Sequence, residues 1–585
     1  MGGQVSQLKE KELEEKYGVI ASIDFGTKYM GYAYMFTKQE FGSEVYKPQQ
    51  LEMKKEHTCI MLKKYSNGNF KLVSFGNEAM DEFVNLESQE NDDFYFFRLF
   101  KTDIVAKDKT LFVKDYKKRE VDAHIVFSKV YEFVQSKTLE HLKNSVNGAE
   151  RIQGDDILWV IAIPATWGHQ YRDFIRKAAE ESYPNMVIVL ESEAASMYIR
   201  NKPVSLKQEK IEPFKDGQCY MLVDMGAGTS DICTHEVLKG GNLIEICSSA
   251  GIYEGGERIN NDFFNKLNEL FTKEVVDTFR LDAIRFYKLE NEFEGIKHKF
   301  KFDTDKDFVL LLDETLLTLF TKTTHRKFDI PSKYSDELEF KNGDRLYMKP
   351  KFMASLFDPT ISTITSKIQE QICEVKLVRY NICCIILSGG LSESDYVFKS
   401  ISKTFRKETS DKIPVILSPN ARNAVVEGAL QMGLNRKVIV GRRSPYTYGF
   451  YSIIPFEQGK HPEHLKGTHD GIPQCKGVFH KLIEKGKIVR LGESFDRTST
   501  TYYKKDKHVK RCMSLWRSFK TSPEYCTTEE QCEIVAQIDI PTPTNGWPDI
   551  LNHIQRLKVL ENEFKLEFIN EDTKEEYSTV VNYAL

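Results

Sequence analysis

Two stretches of the 585-residue chain carry the same unusual pattern. LVDMGAGTSDIC (222–233) and IASIDFGTKYMGYAY (20–34) each have an apolar lead, an acid, a Gly/Thr turn and a second apolar run. A third apolar strand ends in Ser388-Gly389-Gly390. Glycine lets backbone N–H groups approach phosphate oxygens with no Cβ in the way, and threonine hydroxyls add donors. The acids Asp24 and Asp224 repel phosphate unless a hydrated magnesium ion lies between, because that ion takes carboxylates, phosphates and retained water together. The pattern therefore reads as acids for metal and water beside turns for phosphate. Gly389-Gly390 has no flanking acid and suits a nucleoside. Each glycine taken alone is as well explained as the end of a strand; all three in this order favour the ligand. GxxxxGK[ST] and GxGxxG are absent, so neither a P-loop nor a dinucleotide fingerprint is the template.

These turns need strands to hold them. Residues 19–36 and 57–76 read as short strands broken by turn residues. The segment 121–147 has Val126, Val130, Phe133 and Val134 at helical spacing. ILWVIAIP (157–164) is a buried strand ended by proline, HQYRDFIRKAAEESY a helix, and MVIVLESEAASMYI a strand, turn and helix. This alternation predicts an α/β layered domain. Residues 201–218 are polar with two prolines, a crossover. After it come the strand–turn–strand unit at 219–237, an amphipathic helix around 257–276 (Ile259, Phe263, Leu267, Leu270, Phe271) and an apolar strand into Gly-Gly at 381–401. The segment 420–434 reads as helical. From about 440 glycine, proline and short alternating runs dominate, and 565–583 reads as a hairpin.

Composition bounds the function. Apolar residues make up 41% and charged residues 29%, an ordinary globular balance. The formal net charge of −4 gives no basic excess to attract nucleic acid. KKDKHVKR (504–511) reads as a solvated loop before a nucleic-acid patch. No run of 18 or more apolar residues occurs, so no membrane span is expected. The 11 cysteines are scattered without a CxxC pair, which fits reduced thiols in a cytoplasmic protein without structural zinc. The start, Met1-Gly2-Gly3-Gln4-Val5-Ser6, fits N-myristoylation at Gly2, with an unmodified start as the weightier reading. The lysines that follow alternate with glutamates, so a single acyl chain would give only marginal peripheral membrane contact.

The order Asp24-Phe25-Gly26-Thr27, Asp224-Met225-Gly226-Ala227-Gly228-Thr229 and Ser388-Gly389-Gly390 resembles the phosphate-1, phosphate-2 and adenosine motifs of the actin, hexokinase and 70-kDa heat-shock ATPase superfamily. Residues 160–179 resemble the chaperones' strand–Pro–helix segment, ESEAAS (191–196) their Glu-Pro-Thr-Ala-Ala turn, and 251–263 their Gly-Gly-Glu segment. FGNEAMDEF, YFFRLFK, FEGIKHK and RRSPYTYG resemble the divergent heat shock 70 kDa protein 12 family, over about residues 19 to 500. The resemblance implies an α/β fold: a two-lobed actin-like ATPase of duplicated ribonuclease-H-like domains, followed by a β-rich C-terminal domain. It implies a tail at 1–16, lobe I at 17–214 with 415–437 returning to it, lobe II at 215–414, and a partner-binding-like β domain at 438–585.

It also implies roles. Asp24 and Asp224 would hold Mg2+ through water. Gly26, Thr27, Lys28, Tyr29, Gly226, Ala227, Gly228 and Thr229 would line the phosphates of ATP or ADP. Glu191 and Asp224 would orient the attacking water, with Asp231 helping at the metal shell. Gly255, Gly256, Glu257, Glu294, Lys297, Gly389, Gly390 and Leu391 would line the adenosine pocket. The chain departs from the pattern at several of these points. Lys28 stands where the chaperones carry threonine, and Ala227 replaces a glycine. The chaperones' catalytic lysine aligns with Phe97, leaving Lys28 or Lys101 as substitutes. His298 replaces an arginine and Arg422 an acid. His298 is as well explained as a surface or packing residue, and Phe94, Tyr95, Phe96 and Phe97 as core.

No lid helices are read after 440, and Val438-Ile439-Val440 is a weak substitute for an apolar interdomain linker. The reading is an ATP-binding, chaperone-like protein with slow hydrolysis, coupling closure to a C-terminal β domain that takes an unidentified protein client or partner. The alternatives are a nucleotide-sensing binding protein with negligible turnover, a small-molecule kinase of the same superfamily, and, more weakly, a filament former.

Overall fold

The computed structural model describes residues 17–37, 40–41, 44–45, 51–86, 92–107, 110–145, 152–200, 214–407, 412–469, 471–503, 507–560 and 563–582. Gly2, most of the 201–218 crossover, residues 504–506 of the basic run and Tyr583 lie outside the described residues. The described residues fall into two compact units: Met1–Phe214, Gln218–Cys233 and Ala250–Asn435 form the first; Lys215–Gly217, Thr234–Ser249 and Arg436–Leu585 form the second.

In the first unit the strands are β1 (Val19–Phe25), β2 (Tyr29–Phe36), β3 (Leu51–His57), β4 (Cys59–Lys64), β5 (Phe70–Phe75), β6 (Phe94–Arg98), β7 (Ile157–Ile163) and β8 (Met186–Leu190). One sheet runs β8-β7-β1-β2-β3. β1 and β7 pair in parallel, as do β7 and β8, whereas β2 is antiparallel to both β1 and β3. The near-continuous apolar runs VIASIDF and ILWVIAI suit strands covered on both faces, and all of β7 is buried.

The same layout recurs. β9 (Cys219–Met225), β10 (Ser230–Val237), β11 (Leu243–Ile252), β12 (Ile382–Ser388) and β13 (Val415–Leu417) are ordered β13-β12-β9-β10-β11. In both sheets the fourth and fifth strands lie in parallel beside the first, and the first runs through a glycine turn into the second. Duplication is thus visible in strand order as well as in sequence: the fold is a pair of α/β repeats of like strand order followed by a β-rich region.

The helices that frame the site are α1 (Glu191–Arg200), α2 (Gly256–Phe271), α3 (Ala283–Lys299), α4 (Pro350–Leu377) and α5 (Ala424–Leu434). Ile259, Phe263, Leu267, Leu270 and Phe271 of α2 are buried in one core cluster with Phe293 of α3 and Phe357 of α4. α5 packs on α1 and β1. The crossing of α1 and α5 is so close that a Cβ on Gly428 would lie 1.6 Å from the Ala194 carbonyl oxygen.

β10 and β11 run from the first unit into the second. There β11 pairs in parallel with β14 (Ile439–Arg443). The remaining strands are β15 (Thr447–Pro455), β16 (Lys466–His469), β17 (Ile472–Ile483), β18 (Ile488–Arg490), β19 (Ser494–Tyr502), β20 (Arg511–Ser518), β21 (Cys532–Ile540), β22 (Ile550–Val559), β23 (Glu563–Asn570) and β24 (Glu576–Asn582). β18 pairs antiparallel with β14, and the others form sheets β16-β17-β15-β20-β21 and β19-β22-β23-β24, whose apolar core includes Tyr448, Phe450, Leu515, Leu557 and Leu566. The expected hairpin is β23–β24, and among the described residues after Arg436 there is no α-helix.

The α1–α5 contact gives a direct test. Gly428→Ala should lower stability by about 3 kcal/mol or more, because the intruding methyl meets backbone rather than a movable side chain. Chemical denaturation of the full chain measures it; a loss under about 0.5 kcal/mol would contradict the close crossing.

Candidate functional site

The two glycine turns meet. The first closes β1 onto β2 and the second β9 onto β10. A Cβ on Gly228 would lie 2.3 Å from Thr27 Oγ1, so only glycine lets the turns touch there. The second turn is held by the Gly226 amide donating to the Thr229 carbonyl at 2.9 Å. It also receives the start of α2: the Gly256 amide donates to the Gly226 carbonyl at 3.1 Å and the Glu257 amide to the Ala227 carbonyl at 2.8 Å. The alanine at 227 is accommodated in this arrangement. Gly389 has φ +80°, and a Cβ there would lie 2.3 Å from the Met225 carbonyl oxygen, which brings the third glycine motif onto β9.

Around these turns lies a cavity of about 360 Å3. Its lining includes Asp24, Gly26, Thr27, Lys28, Tyr29, Glu191, Asp224, Gly226, Ala227, Gly228, Thr229, Gly256, Glu257, Glu294, Lys297, Gly389, Gly390 and Leu391. Gly255 and Asp231 stand behind that lining. Gly255 packs its backbone against the Gly226 and Ala227 carbonyls, and Asp231 Oδ1 accepts from the Ala165 amide at 2.7 Å.

Four acids cluster at one side: Asp24, Glu191, Asp224 and Asp231. Burial, then the charge of Glu191, pushes Asp24 up to about 7, with Lys101 and Lys55 opposing. Burial and Glu191 likewise push Asp231 up to about 7, against hydrogen bonds from Thr229 and Ala165. Asp224 is held well above the carboxylate range by burial, then by Glu191, Asp24 and Asp231. Asp224 Oδ1 and Asp231 Oδ2 are buried without a hydrogen-bond partner among the described residues. Such oxygens suit a hydrated divalent cation. Among the described residues no three His, Cys, Asp or Glu side chains converge as a direct ligand set, so a cation here would keep water between itself and the acids.

The cation that faces this cluster is Lys101. Its Nζ lies 2.6 Å from Glu191 Oε1, both side chains are buried, and Trp167 lies beside it. Of the two lysines expected to stand in for the chaperones' lysine, Lys101 is the one that faces the acids. Phe97 is 0% exposed, stands edge-on to Phe100 and does not line the cavity. β6 ends at Arg98, and the residues after it carry Lys101 inward. Phe96 is likewise core, stacked on Phe83.

Lys28 is not a free phosphate donor. Its Nζ pairs with Glu257 at 3.4 Å and Glu294 at 3.0 Å. Glu294 also meets Lys297 Nζ at 2.8 Å and His298 Nε2 at 3.2 Å. Burial alone would raise the Glu294 carboxyl, but His298, Lys297 and Lys28 together hold it far below the usual range. Lys297 also donates to the Gly256 carbonyl and Asn260 Oδ1, which ties α3 to α2.

The sequence reading missed Lys55. It lies on β3 opposite Gly31 of β2, lines the cavity, and donates to the Arg422 carbonyl at 3.1 Å. Arg422 itself pairs with Glu393 at 2.5 Å. Phe357 and Val425 add apolar lining from α4 and α5. LEMKKEH has no motif to mark Lys55; only strand pairing brings it to the site.

No protein-family model matches the chain. It is 26% identical over 554 residues to heat shock 70 kDa protein 12A of Mus musculus, covering 83% of this chain and 80% of that protein. Heat shock 70 kDa protein 12A of Homo sapiens is 25% identical with the same coverage, and heat shock 70 kDa protein 12B of Homo sapiens 23% over 552 residues, covering 83% and 78%. The resemblance to the 12 family is borne out over most of the chain. Among solved structures, MreB5 of Spiroplasma citri bound to ADP aligns with a TM-score of 0.42 and 13% identity, covering 72% of this chain and 97% of that one. Among the described residues, no helix is long and apolar enough to cross a membrane.

The acid cluster sets a pH dependence. Acids raised to about 7 hold protons in the folded state that the unfolded chain has already released above about 4. Stability of the metal-free protein should therefore fall as pH rises through that window, by roughly a few kcal/mol. Denaturation in chelator at pH 5.5 and 7.5 measures it, and Asp231→Asn should flatten the slope. Equal slopes in both proteins would contradict the burial of this charge.

Proposed function

We propose, from the premise that this chain is a relative of heat shock 70 kDa protein 12A and 12B, that it binds Mg·ATP in the cavity and hydrolyses it slowly. The observation that carries this reading is the meeting of the two acid-flanked glycine turns with Gly389-Gly390 around one cavity. Thr27, Gly226, Gly228 and Thr229 cradle the β- and γ-phosphates. Gly256, Glu294, Lys297 and Gly390 take the adenosine. Asp24 and Asp224 hold Mg2+ through water, and Asp231 supports them from behind. Magnesium, when bound, neutralises phosphate charge. Glu191 and Asp224 orient the attacking water, and Lys101 supplies the positive clamp on the γ-phosphate. Catalysis of this kind is positioning and charge stabilisation.

Lys101 is already paired with Glu191, which shares its charge between that carboxylate and a phosphate and favours slow turnover. The same pairing favours a second reading, a nucleotide-sensing binding protein with negligible hydrolysis. In either case the two repeats act as lobes, 17–214 with the returning 415–437 and 215–414. Their closure is relayed through β10 and β11, which run on into the second unit. The β region from 438 is the surface for a protein client or partner, as in a chaperone. The 11 free cysteines support a cytoplasmic setting.

Single-turnover hydrolysis with magnesium tests the site. Asp224→Asn and Lys101→Ala should each slow phosphate release by about a hundredfold or more, with nucleotide still bound. Binding without release in the wild type selects the second reading; no nucleotide binding excludes both. Lys28→Thr, which frees Glu294 of one partner, should tighten nucleotide binding several-fold by equilibrium titration. Weaker binding would instead make Lys28 a ligand contact.

A further inference from the structure

The sandwich of the second unit changes character along its interior. Most of it is the apolar core built on Tyr448, Phe450 and Leu515. Beside that core, β19 turns Arg497, Ser499 and Thr501 to the more buried side, where an apolar strand face is the rule. Two guanidinium groups cross there from opposite sheets. Arg497 of β19 donates through Nη1 to Ser452 Oγ on β15 and to Gln555 Oε1 at 3.3 Å. Arg511 of β20 donates through Nη1 to Thr501 Oγ1 at 3.1 Å and Tyr503 Oη at 2.9 Å, and through Nη2 to His553 Nε2 at 2.8 Å. The Arg511 guanidinium lies 5.5 Å from the Phe568 ring centre.

Every one of these acceptors is neutral. An arginine has no lone pair to offer, so His553 Nε2 must accept and the ring carries its proton on Nδ1. Burial, then the charge of Arg511, pushes His553 down to about 4, which keeps it neutral near pH 7. The carboxylates of this sheet stand elsewhere. Asp496 pairs with Arg556, and Glu567 with Arg556 and Lys565. Among the described residues neither Arg497 nor Arg511 has a carboxylate partner. Two like charges brought together and half-buried without a counterion are costly, and each guanidinium is pinned by neutral groups. Among the described residues, the Arg497 Nε and Nη2 groups, the edge that grips a carboxylate or phosphate with two parallel bonds, donate to no protein partner.

We propose that this pair of arginines forms an oxyanion-binding site. The ligand is a phosphate or carboxylate group, gripped by the Nε–Nη2 edge of Arg497, with Arg511 as the second positive charge. The ordering entropy of both side chains is already spent in the free protein, which favours binding. The site is independent of the nucleotide cavity, whose lining shares no residue with it.

Calorimetric titration of the full chain with inorganic phosphate and with glutarate, at fixed ionic strength, tests it. Phosphate should bind the wild type and Asp224→Asn alike. Its affinity should fall about tenfold or more in Arg497→Gln, and be partly kept in Arg497→Lys, which retains charge without the fork. Binding of phosphate alone identifies a tetrahedral anion; binding of glutarate as well identifies a carboxylate site. Where Arg497→Gln does not fold by circular dichroism, Arg497→Lys and Arg511→Lys carry the comparison. No binding of either anion, binding unchanged by substitution at both arginines, or binding lost only in Asp224→Asn would overturn the proposal.

Discussion

Buried negative charge is the constraint around which the first unit is arranged. Asp24 and Asp224 sit at the ends of strands covered on both faces, and Glu191 and Asp231 raise their proton affinity further. Isolated carboxylates do not survive such burial without protonating or finding a cation. Lys101 compensates Glu191 directly, and Lys55 acts on Asp24 from β3, two strands away. That leaves an excess of acid beside two turns that present backbone amides. Protonation relieves that excess in the free protein, and in the proposed function a divalent cation shared with phosphate takes its place.

The contact of the turns follows from the same demand. The repeats bring their first hairpins together, and the overlap a Cβ on Gly228 would make with Thr27 measures how closely they do so; the proposed function makes this the place where both repeats reach one ligand. The rest of the first unit braces that contact. α2 starts on the second turn by hydrogen bonds to its carbonyls, and Lys297 of α3 locks onto α2. α5 packs between α1 and β1 at near-minimal separation. At a second group of residues the charges balance: Lys28, Lys297 and His298 surround Glu294 and Glu257. Acid excess in one cluster and internal neutrality in the other divide the cavity chemically into an acidic part beside the glycine turns and a part closed upon itself.

Much of this was legible in the chain. The glycine turns are local features whose geometry is written in three or four residues, and duplication made them readable against chance. Strands such as ILWVIAI and the stripe of α2 announced themselves by burial pattern. The lysine was legible only as one of two candidates, Lys28 or Lys101. Aligning a short aromatic stretch put Phe97 in the cation's place, but a strand end and the turn after it decide which side chain faces inward, and that selected Lys101. Lys55 depends on the register between two strands separated by residues without a motif. The free valence of Lys28 was misjudged because its partners lie more than 200 residues away on α2 and α3. Charge pairing across distant elements leaves no trace in local pattern.

The central claim is that the buried acids are poised to exchange protons for a divalent cation and phosphate. Proton release on binding Mg·ADP, measured by calorimetry near pH 6.5 in buffers of different ionisation enthalpy, tests this most directly. The account predicts that the full chain gives up protons on binding, and that Asp24→Asn reduces the number released. Binding with no proton release, or with uptake, would contradict it.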